Sequence, residues 1–219
     1  MAASGGGGSF IGLESVDADN LASVQKSFNK PDNYKFALDG LASRGIYVIT
    51  SFISGMEGDT LGVAKRTAEV MDAWPPGLPV FSLMTPFPST PLYQRLLKAG
   101  RLERPKHWLD SDLFMMAFTP ENITQAQAEA EVREAWTRAY SPKATAQALK
   151  RISDRPLSER IVLFFARLAF RGIYFPQMTV RQWGLLLLKN RRPLLSFCYE
   201  GLRPEWTRRS PSVAQEEGD

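Results

Sequence analysis

The side chains that most often carry catalysis or bind metals are scarce in this chain. Among its 219 residues there is one cysteine, Cys198, and one histidine, His107. No intrachain disulfide can form, and a thiolate-rich zinc site or an iron–sulfur cluster needs about three or four soft ligands. A Ser-His-Asp or Cys-His catalytic device would have to use His107, which we expect to be a solvated surface residue. The sequence therefore excludes a thiolate-rich zinc site or an iron–sulfur cluster held by this chain alone.

Polar side chains gather instead just after three predicted strands. Runs of β-branched and aromatic residues predict strands at 9–13, 46–53 and 80–85. These strands recur about every 35 residues with helical patterns between them, which is the period of βαβ units in a parallel sheet. Open parallel sheets and barrels bind ligands at the carboxyl ends of their strands. We therefore expect any binding site to lie at that edge.

Prolines and capping residues mark the helices around these strands. Pro31 suits the first turn of the helix that precedes the second strand. Asp59 or Thr60 is predicted to cap the helix that follows the second strand. Thr124 and Gln127 form a capping-box pattern, which predicts the start of a long helix after the last strand.

Composition and charge describe a folded chain with a basic C-terminal part. Hydrophobic residues make up 44% and charged residues 23%, an ordinary balance for a soluble protein. No apolar run approaches the roughly 18 residues of a membrane span, and the small, glycine-rich start does not resemble a signal peptide, so we expect a cytoplasmic protein. Residues 1–150 hold 15 Lys and Arg against 16 Asp and Glu, whereas residues 151–219 hold 12 against 7. This difference in charge between the two stretches favours a chain with two structural parts.

An ordered set of motifs connects the chain to a known family. The set consists of Phe10-Ile11-Gly12-Leu13-Glu14-Ser15 followed by Lys26, Phe52-Ile53-x-Gly55-Met56-x-Gly58-Asp59, Thr85-Pro86-Phe87-Pro88-x-Thr90-Pro91-Leu92-Tyr93, Gly100-Arg101-Leu102, Trp108, Phe118-Thr119-Pro120 and Ala139-Tyr140-Ser141. Across about residues 9–150, this order and spacing resemble the later barrel strands of radical S-adenosylmethionine enzymes. The best match is the branch that carries an N-terminal cobalamin-binding domain.

The resemblance implies an α/β fold: a partial, half radical-SAM (β/α) barrel of about three parallel strands, followed by an α-helical C-terminal region. The expected parts are a glycine-rich disordered start at 1–8, the half-barrel at 9–100, a helical extension at 101–152, a basic and apolar helical region at 153–203, and a disordered tail at 204–219. In the family, a Cys-x3-Cys-x2-Cys motif holds a [4Fe–4S] cluster, and this motif and the cobalamin domain are absent here. We therefore expect a C-terminal fragment or truncated relative, inactive alone, whose partner would be the missing N-terminal half.

By the same resemblance, four residues would form part of an S-adenosylmethionine site. Glu14 would accept hydrogen bonds from the ribose hydroxyls, and Lys26 would pair with the methionine carboxylate. Ser51 lies where related enzymes often carry a polar group near the ribose, and Ile53 would form an apolar wall for the adenine. Glu14 could instead cap the next helix, Lys26 could be solvated, and Ile53 could belong to the core. The resemblance assigns no catalytic residue and no metal ligand to this chain.

The basic C-terminal region supports a second, non-catalytic interpretation. Arg167 and Arg171 lie one turn apart in an apolar stretch, and Arg191 and Arg192 follow another. Basic amphipathic helices bind anionic bilayers, so this region could be an interaction module or a module for an anionic membrane surface. It could instead pack on the barrel or cap its open end. No recognition motif accompanies the charge, and we expect no nucleic-acid partner.

Overall fold

A computed structural model of the chain describes residues 2–103, 113–175 and 179–202. The predictions for His107, Trp108 and the tail at 204–219 lie outside these described residues. After a short 3-10 helix at Ala2–Ser4, the elements are β1 (Gly8–Glu14), α1 (Ala18–Ser23), α2 (Pro31–Ala42), β2 (Tyr47–Ser54), α3 (Val63–Met71), β3 (Leu78–Leu83), α4 (Pro91–Lys98), α5 (Gln125–Ala139), α6 (Pro142–Lys150), α7 (Leu157–Tyr174), α8 (Val180–Lys189) and α9 (Arg191–Leu202).

The three strands form one parallel sheet in the order β1-β2-β3. This confirms the α/β class and the three parallel strands, whereas closure into a half-barrel stays a prediction. Strand β3 begins two residues earlier than predicted, with Pro79 opposite Thr50. Proline is tolerated on an edge strand, and the Pro79 carbonyl accepts a hydrogen bond of 2.7 Å from the Tyr140 hydroxyl.

Helices cover one face of the sheet more fully than the other. Along β2, buried residues alternate with half-buried ones, and on the buried side Phe52 stacks against Trp74 and Phe81 at ring distances of 6.1 and 5.5 Å. On the opposite side Phe10 is 65% exposed. We call this second side the open face; its residues are Phe10, Gly12, Ile49, Ser51, Ile53, Val80 and Ser82. Apart from Phe10, the residues of the open face are half-buried, so a ligand or another polypeptide could reach part of this face.

The predicted cap of α3 is wrong. The N-cap of this helix is Gly62, with φ of 85°, and neither Asp59 nor Thr60 fills that place. The first turn is held instead by Glu131 of α5, whose carboxylate accepts hydrogen bonds from the backbone N–H of Gly62 at 2.6 Å and of Ala64 at 2.8 Å. A buried carboxylate at a helix N-terminus satisfies unpaired donors and favours the helix dipole.

The C-terminal helices build a second small core, which is centred on Phe164 and Phe197. Helix α7 is joined to the sheet by Arg167, which is 5% exposed and donates hydrogen bonds to the carbonyl of Gly77, at 2.9 Å, and to that of Ala139. Because Arg167 is buried, it cannot contact a membrane surface. Its guanidinium lies at the C-terminal end of α5, where the carbonyl dipoles favour a cation. None of the described helices combines the length and the apolar character needed to cross a bilayer.

Candidate functional site

Glu14 ends β1 in an unusual backbone conformation. Its φ is 66°, and the register slips at this point, because Gly12 pairs with Ser51 and Glu14 pairs with the next residue, Phe52. Leu13 is thus the extra residue of a β-bulge, a device that re-aims a side chain. A Cβ built on Gly12 would lie 2.6 Å from Glu14 Oε1. The carboxylate therefore lies over Gly12, on the open face.

The segment after β1 folds back and fixes this bulge. The Tyr34 hydroxyl lies 2.9 Å from the Leu13 carbonyl and 3.1 Å from that of Ser15. The Asn29 side-chain amide donates to the carbonyls of Gly12 and Leu13 at 3.1 and 3.2 Å. Burial, and secondarily the negative charge of Glu14, raises the pKa of Tyr34 to about 12, so this hydroxyl stays protonated as a donor.

Lys26 approaches Glu14 from the same segment. Its ammonium lies 3.3 Å from Glu14 Oε1, and the two side chains are 41% and 13% exposed. The ammonium also lies 5.5 Å from the centre of the Phe28 ring. Lys26 is therefore paired rather than freely solvated, while enough of it is exposed to contact a ligand. Glu14 does not cap α1, because the Asp17 carboxylate accepts the N–H groups of Asp19 and Asn20.

Ser51 and Ile53 lie on the neighbouring strand, on the open face. Ser51 is directly opposite Gly12 in the β1–β2 register, and Ile53 is opposite Ser82 in the β2–β3 register. Both are half-buried rather than part of the sealed core. Adjacent strands are about 4.8 Å apart, so Ser51 lies one strand away from the carboxylate above Gly12. All four residues that the resemblance points to thus share one side of the sheet.

The loop after β2 is locked to the start of α1 by a buried pair. Asp59 is 1% exposed and accepts hydrogen bonds from the Gly55 N–H at 2.7 Å, the Met56 N–H at 3.1 Å and the Asn20 amide at 2.7 Å. Burial raises the pKa of Asp59 to about 6, although these hydrogen bonds oppose the shift. A Cβ on Gly58 would meet Asn20 Oδ1 at 2.3 Å, so the loop needs glycine there. This pair fixes the carboxyl edge of β1 relative to that of β2.

Of the groups that the resemblance implies, the side chains at this site fit S-adenosylmethionine and do not fit a [4Fe–4S] cluster. Glu14 and Lys26 offer an acceptor pair and an ammonium on an accessible face, which suits the hydroxyls and the carboxylate of S-adenosylmethionine. A [4Fe–4S] cluster does not fit this chain, because Cys198 is its one thiol and lies exposed on α9. Within the described ranges, no three His, Cys, Asp or Glu side chains are grouped so that they could hold a metal ion.

Sequence reasoning missed the residues that shape this site. Asn29, Tyr34 and Asn20 position the bulge and the loop through hydrogen bonds that span 16 to 39 residues. No local spacing announces contacts of this kind. The one available signal was the glycine at position 12, since a glycine inside a strand often marks a bulge or a close approach.

Comparison with known proteins finds similar proteins that are all named for methyl transfer. No protein-family profile matches the chain. It is 30% identical over 115 residues to bacteriochlorophyllide d C-12(1)-methyltransferase of Chlorobaculum tepidum, which covers 52% of this chain and 24% of that protein. It is 26% identical over 135 residues to hopanoid C-2 methylase of Rhodopseudomonas palustris, covering 62% of this chain and 24% of the relative. An uncharacterized methyltransferase of Synechocystis is 24% identical over 133 residues, covering 61% and 25%.

The chain therefore spans about a quarter of the length of the curated relatives it matches. Its similarity to them is low and partial, and all three are named as methyltransferases or methylases. The chain is accordingly similar to methyltransferases.

Proposed function

We propose that this chain is the C-terminal part, or a truncated relative, of a cobalamin-type radical S-adenosylmethionine methyltransferase, and that it holds part of the S-adenosylmethionine. The observation that best supports this is Glu14, whose carboxylate lies over Gly12 on the open face, 3.3 Å from the Lys26 ammonium. The motifs across residues 9–150 and the similarity to three methyltransferases support the same proposal.

Each of the four residues has a role in the proposal that suits its surroundings. Glu14 accepts hydrogen bonds from the two ribose hydroxyls, and Lys26 turns from Glu14 to the methionine carboxylate. Ser51 adds a polar contact near the ribose, and Ile53 packs against the adenine. S-adenosylmethionine supplies an activated methyl group and, beside a reduced iron–sulfur cluster, radical chemistry.

The cluster must come from elsewhere in this proposal. One cysteine cannot replace three, so we propose that the [4Fe–4S] cluster and the cobalamin belong to an N-terminal half, in the same or a separate polypeptide, and that this chain is inactive alone. Two relatives are named for a bacteriochlorophyllide and a hopanoid. We therefore propose a polycyclic pigment or lipid as the class of methyl acceptor.

Calorimetric titration of the purified chain with S-adenosylmethionine tests the half-site. Glu14→Gln and Lys26→Gln should each weaken binding about tenfold, because each removes one charge-assisted interaction of roughly 1.5 kcal/mol. Lys30→Gln is the matched control, since Lys30 is an exposed lysine of the same segment, and it should bind like the wild type. Failure of the wild type to bind, or equal binding by all variants, contradicts the half-site.

Co-expression tests the origin of the cluster. Reconstituted with iron and sulfide, the chain alone should show no cluster absorbance, whereas co-expression with a polypeptide that carries the three-cysteine motif should yield a complex with the absorbance of a [4Fe–4S] cluster. A complex that forms without a cluster would refute the proposed division between the two parts.

A further inference from the structure

Helix α7 carries apolar side chains on its outer side as well as in the core, and two of its arginines are turned inward. Val162, Phe165 and Ile173 are 65%, 51% and 48% exposed, and their spacing places them on one side of the helix. Arg167 is buried against the sheet, and Arg160 forms a salt bridge of 2.7 Å. A surface helix normally has the opposite arrangement. The outer side of α7 is therefore suited to an apolar environment rather than to water.

The two helices that follow also carry exposed apolar side chains. Val180 and Leu188 of α8 are 89% and 57% exposed, and Leu195 and Leu202 of α9 are 65% and 84% exposed. Single exposed apolar residues are ordinary, and it is the number of them on three successive helices that points to an interaction site. We call this set the outer C-terminal surface; its residues are Val162, Phe165, Ile173, Val180, Trp183, Leu185, Leu188, Leu195, Tyr199 and Leu202.

Basic residues outnumber acidic ones in this region. Between Glu159 and Glu200 the sequence contains no acidic residue and seven basic ones. Four of these are exposed, namely Arg181, Lys189, Arg191 and Arg192. Within the part of the chain that the structure describes, none of these four forms a salt bridge with a carboxylate. Their charge is therefore available to a negatively charged partner.

We propose that the outer C-terminal surface binds an anionic lipid bilayer, with α8 and α9 lying in the headgroup region. Exposed leucines and a tryptophan can enter the boundary between headgroups and acyl chains, and the four cations can contact anionic headgroups. A second copy of the chain would bring like charges together, which disfavours self-association through this surface. The proposal does not depend on the binding of S-adenosylmethionine.

Co-sedimentation of the full chain with vesicles tests this proposal. The chain should pellet with vesicles of equimolar phosphatidylcholine and phosphatidylglycerol, less so at high salt, and not with pure phosphatidylcholine. The double variant Arg191→Gln, Arg192→Gln should bind about 30-fold more weakly, since each basic residue near the anionic surface contributes about fivefold. The double variant Leu188→Gln, Leu195→Gln should bind about a hundredfold more weakly, because it removes two apolar side chains from the lipid.

Matched controls come from α4, which carries exposed residues of the same types. Arg95→Gln, Lys98→Gln removes the same charge, and Leu97→Gln replaces a leucine that is 52% exposed; both should bind anionic vesicles like the wild type. Circular dichroism should report unchanged helix content for every variant, since all substituted residues are exposed.

Three outcomes would overturn the proposal. Equal binding to neutral and anionic vesicles would show that the four basic residues do not contribute to binding. Equal loss of binding in the α4 controls would show that net charge, rather than this surface, determines binding. Absence of vesicle binding would overturn it as well. If the chain then self-associates in analytical ultracentrifugation and Leu188→Gln, Leu195→Gln abolishes this association, the surface binds a second copy of the chain.

Discussion

Replacing Glu131 with glutamine should destabilise the chain although the side chain keeps its shape. The two Glu131 oxygens accept the N–H groups of Gly62 and Ala64 at 2.6 and 2.8 Å, and the residue is 8% exposed. In Glu131→Gln, an amide nitrogen must face one of these N–H groups, so one buried donor loses its partner. That loss costs about 1.5–3 kcal/mol, and removal of the negative charge from the helix N-terminus costs about 0.5–1 kcal/mol more.

We therefore expect Glu131→Gln to lower the free energy of unfolding by about 3 kcal/mol. Urea denaturation followed by circular dichroism should show a lower midpoint with an unchanged slope, because the surface exposed on unfolding stays the same. Glu134→Gln is the matched control on the same helix, since Glu134 is exposed and pairs with Arg138 four residues on. Such a pair contributes about 0.3–0.5 kcal/mol.

The comparison between these two variants decides whether Glu131 caps α3. If both lower the free energy of unfolding by less than about 1 kcal/mol, the Glu131 carboxylate does not hold the first turn of α3. A large loss in Glu134→Gln alone would likewise contradict it.

Three further predictions concern the loop after β2, the bulge in β1 and the link between α7 and the sheet. Burial raises the pKa of Asp59 from 3.8 to about 6, so the folded chain binds more protons than the unfolded chain between these two values. The stability that Asp59 contributes is thus fully present below about pH 4 and is lost, by about 3 kcal/mol, as the pH rises through about 6. Asp59→Asn should remove this slope from urea unfolding free energies measured across that range, and an unchanged slope would refute the assignment to Asp59. Gly12→Ala should displace the carboxylate that lies over Gly12 and weaken S-adenosylmethionine binding about tenfold in calorimetry, with an unfolding midpoint near that of the wild type; normal affinity would show that the carboxylate position is unimportant. Arg167→Lys should lower the free energy of unfolding by about 2–4 kcal/mol, because one ammonium cannot reproduce the guanidinium contacts to the carbonyls of Gly77 and Ala139; in urea denaturation, a loss no larger than that of the exposed Arg181→Lys would argue against this tether.

Elements that rest on local signals could be predicted from the sequence. The capping box of Thr124 and Gln127 opens α5 as expected, and Pro31 is in the first turn of α2. The strand at 46–53 differs from β2 by one residue at each end. These signals succeed because a cap or a strand propensity depends on residues within a few positions of one another.

Glycine and proline disfavour helices by residue type, yet Gly172 and Pro193 both lie within helices. Helix α7 continues through Gly172 to Tyr174, and Pro193 is the third residue of α9. A glycine within a helix costs only about 1 kcal/mol, which packing can offset. A proline in the first turn removes an N–H that would have no partner within the helix.

Contacts between distant segments could not be predicted from local patterns. Glu131 caps a helix 67 residues earlier in the chain, and Arg167 reaches a carbonyl 90 residues away. In the sequence, Glu131 belongs to an ordinary alternation of charged and apolar residues on α5, and Arg167 is an arginine in an apolar stretch. Only the packing of α5 beside α3, and of α7 against β3, gives these side chains their roles.

The backbone strain at Glu14 bears on whether folding or a ligand requires its carboxylate. A positive φ costs a residue other than glycine roughly 1–2 kcal/mol, and Glu14 has φ of 66°. Its pair with Lys26 is partly exposed, and such pairs return no more than about 1 kcal/mol. Glycine at this position would relieve the strain at the cost of that pair alone, so folding does not require a carboxylate there. A ligand that needs acceptors on the open face does require one, and the lack of a Cβ on Gly12 is what allows the carboxylate to lie there.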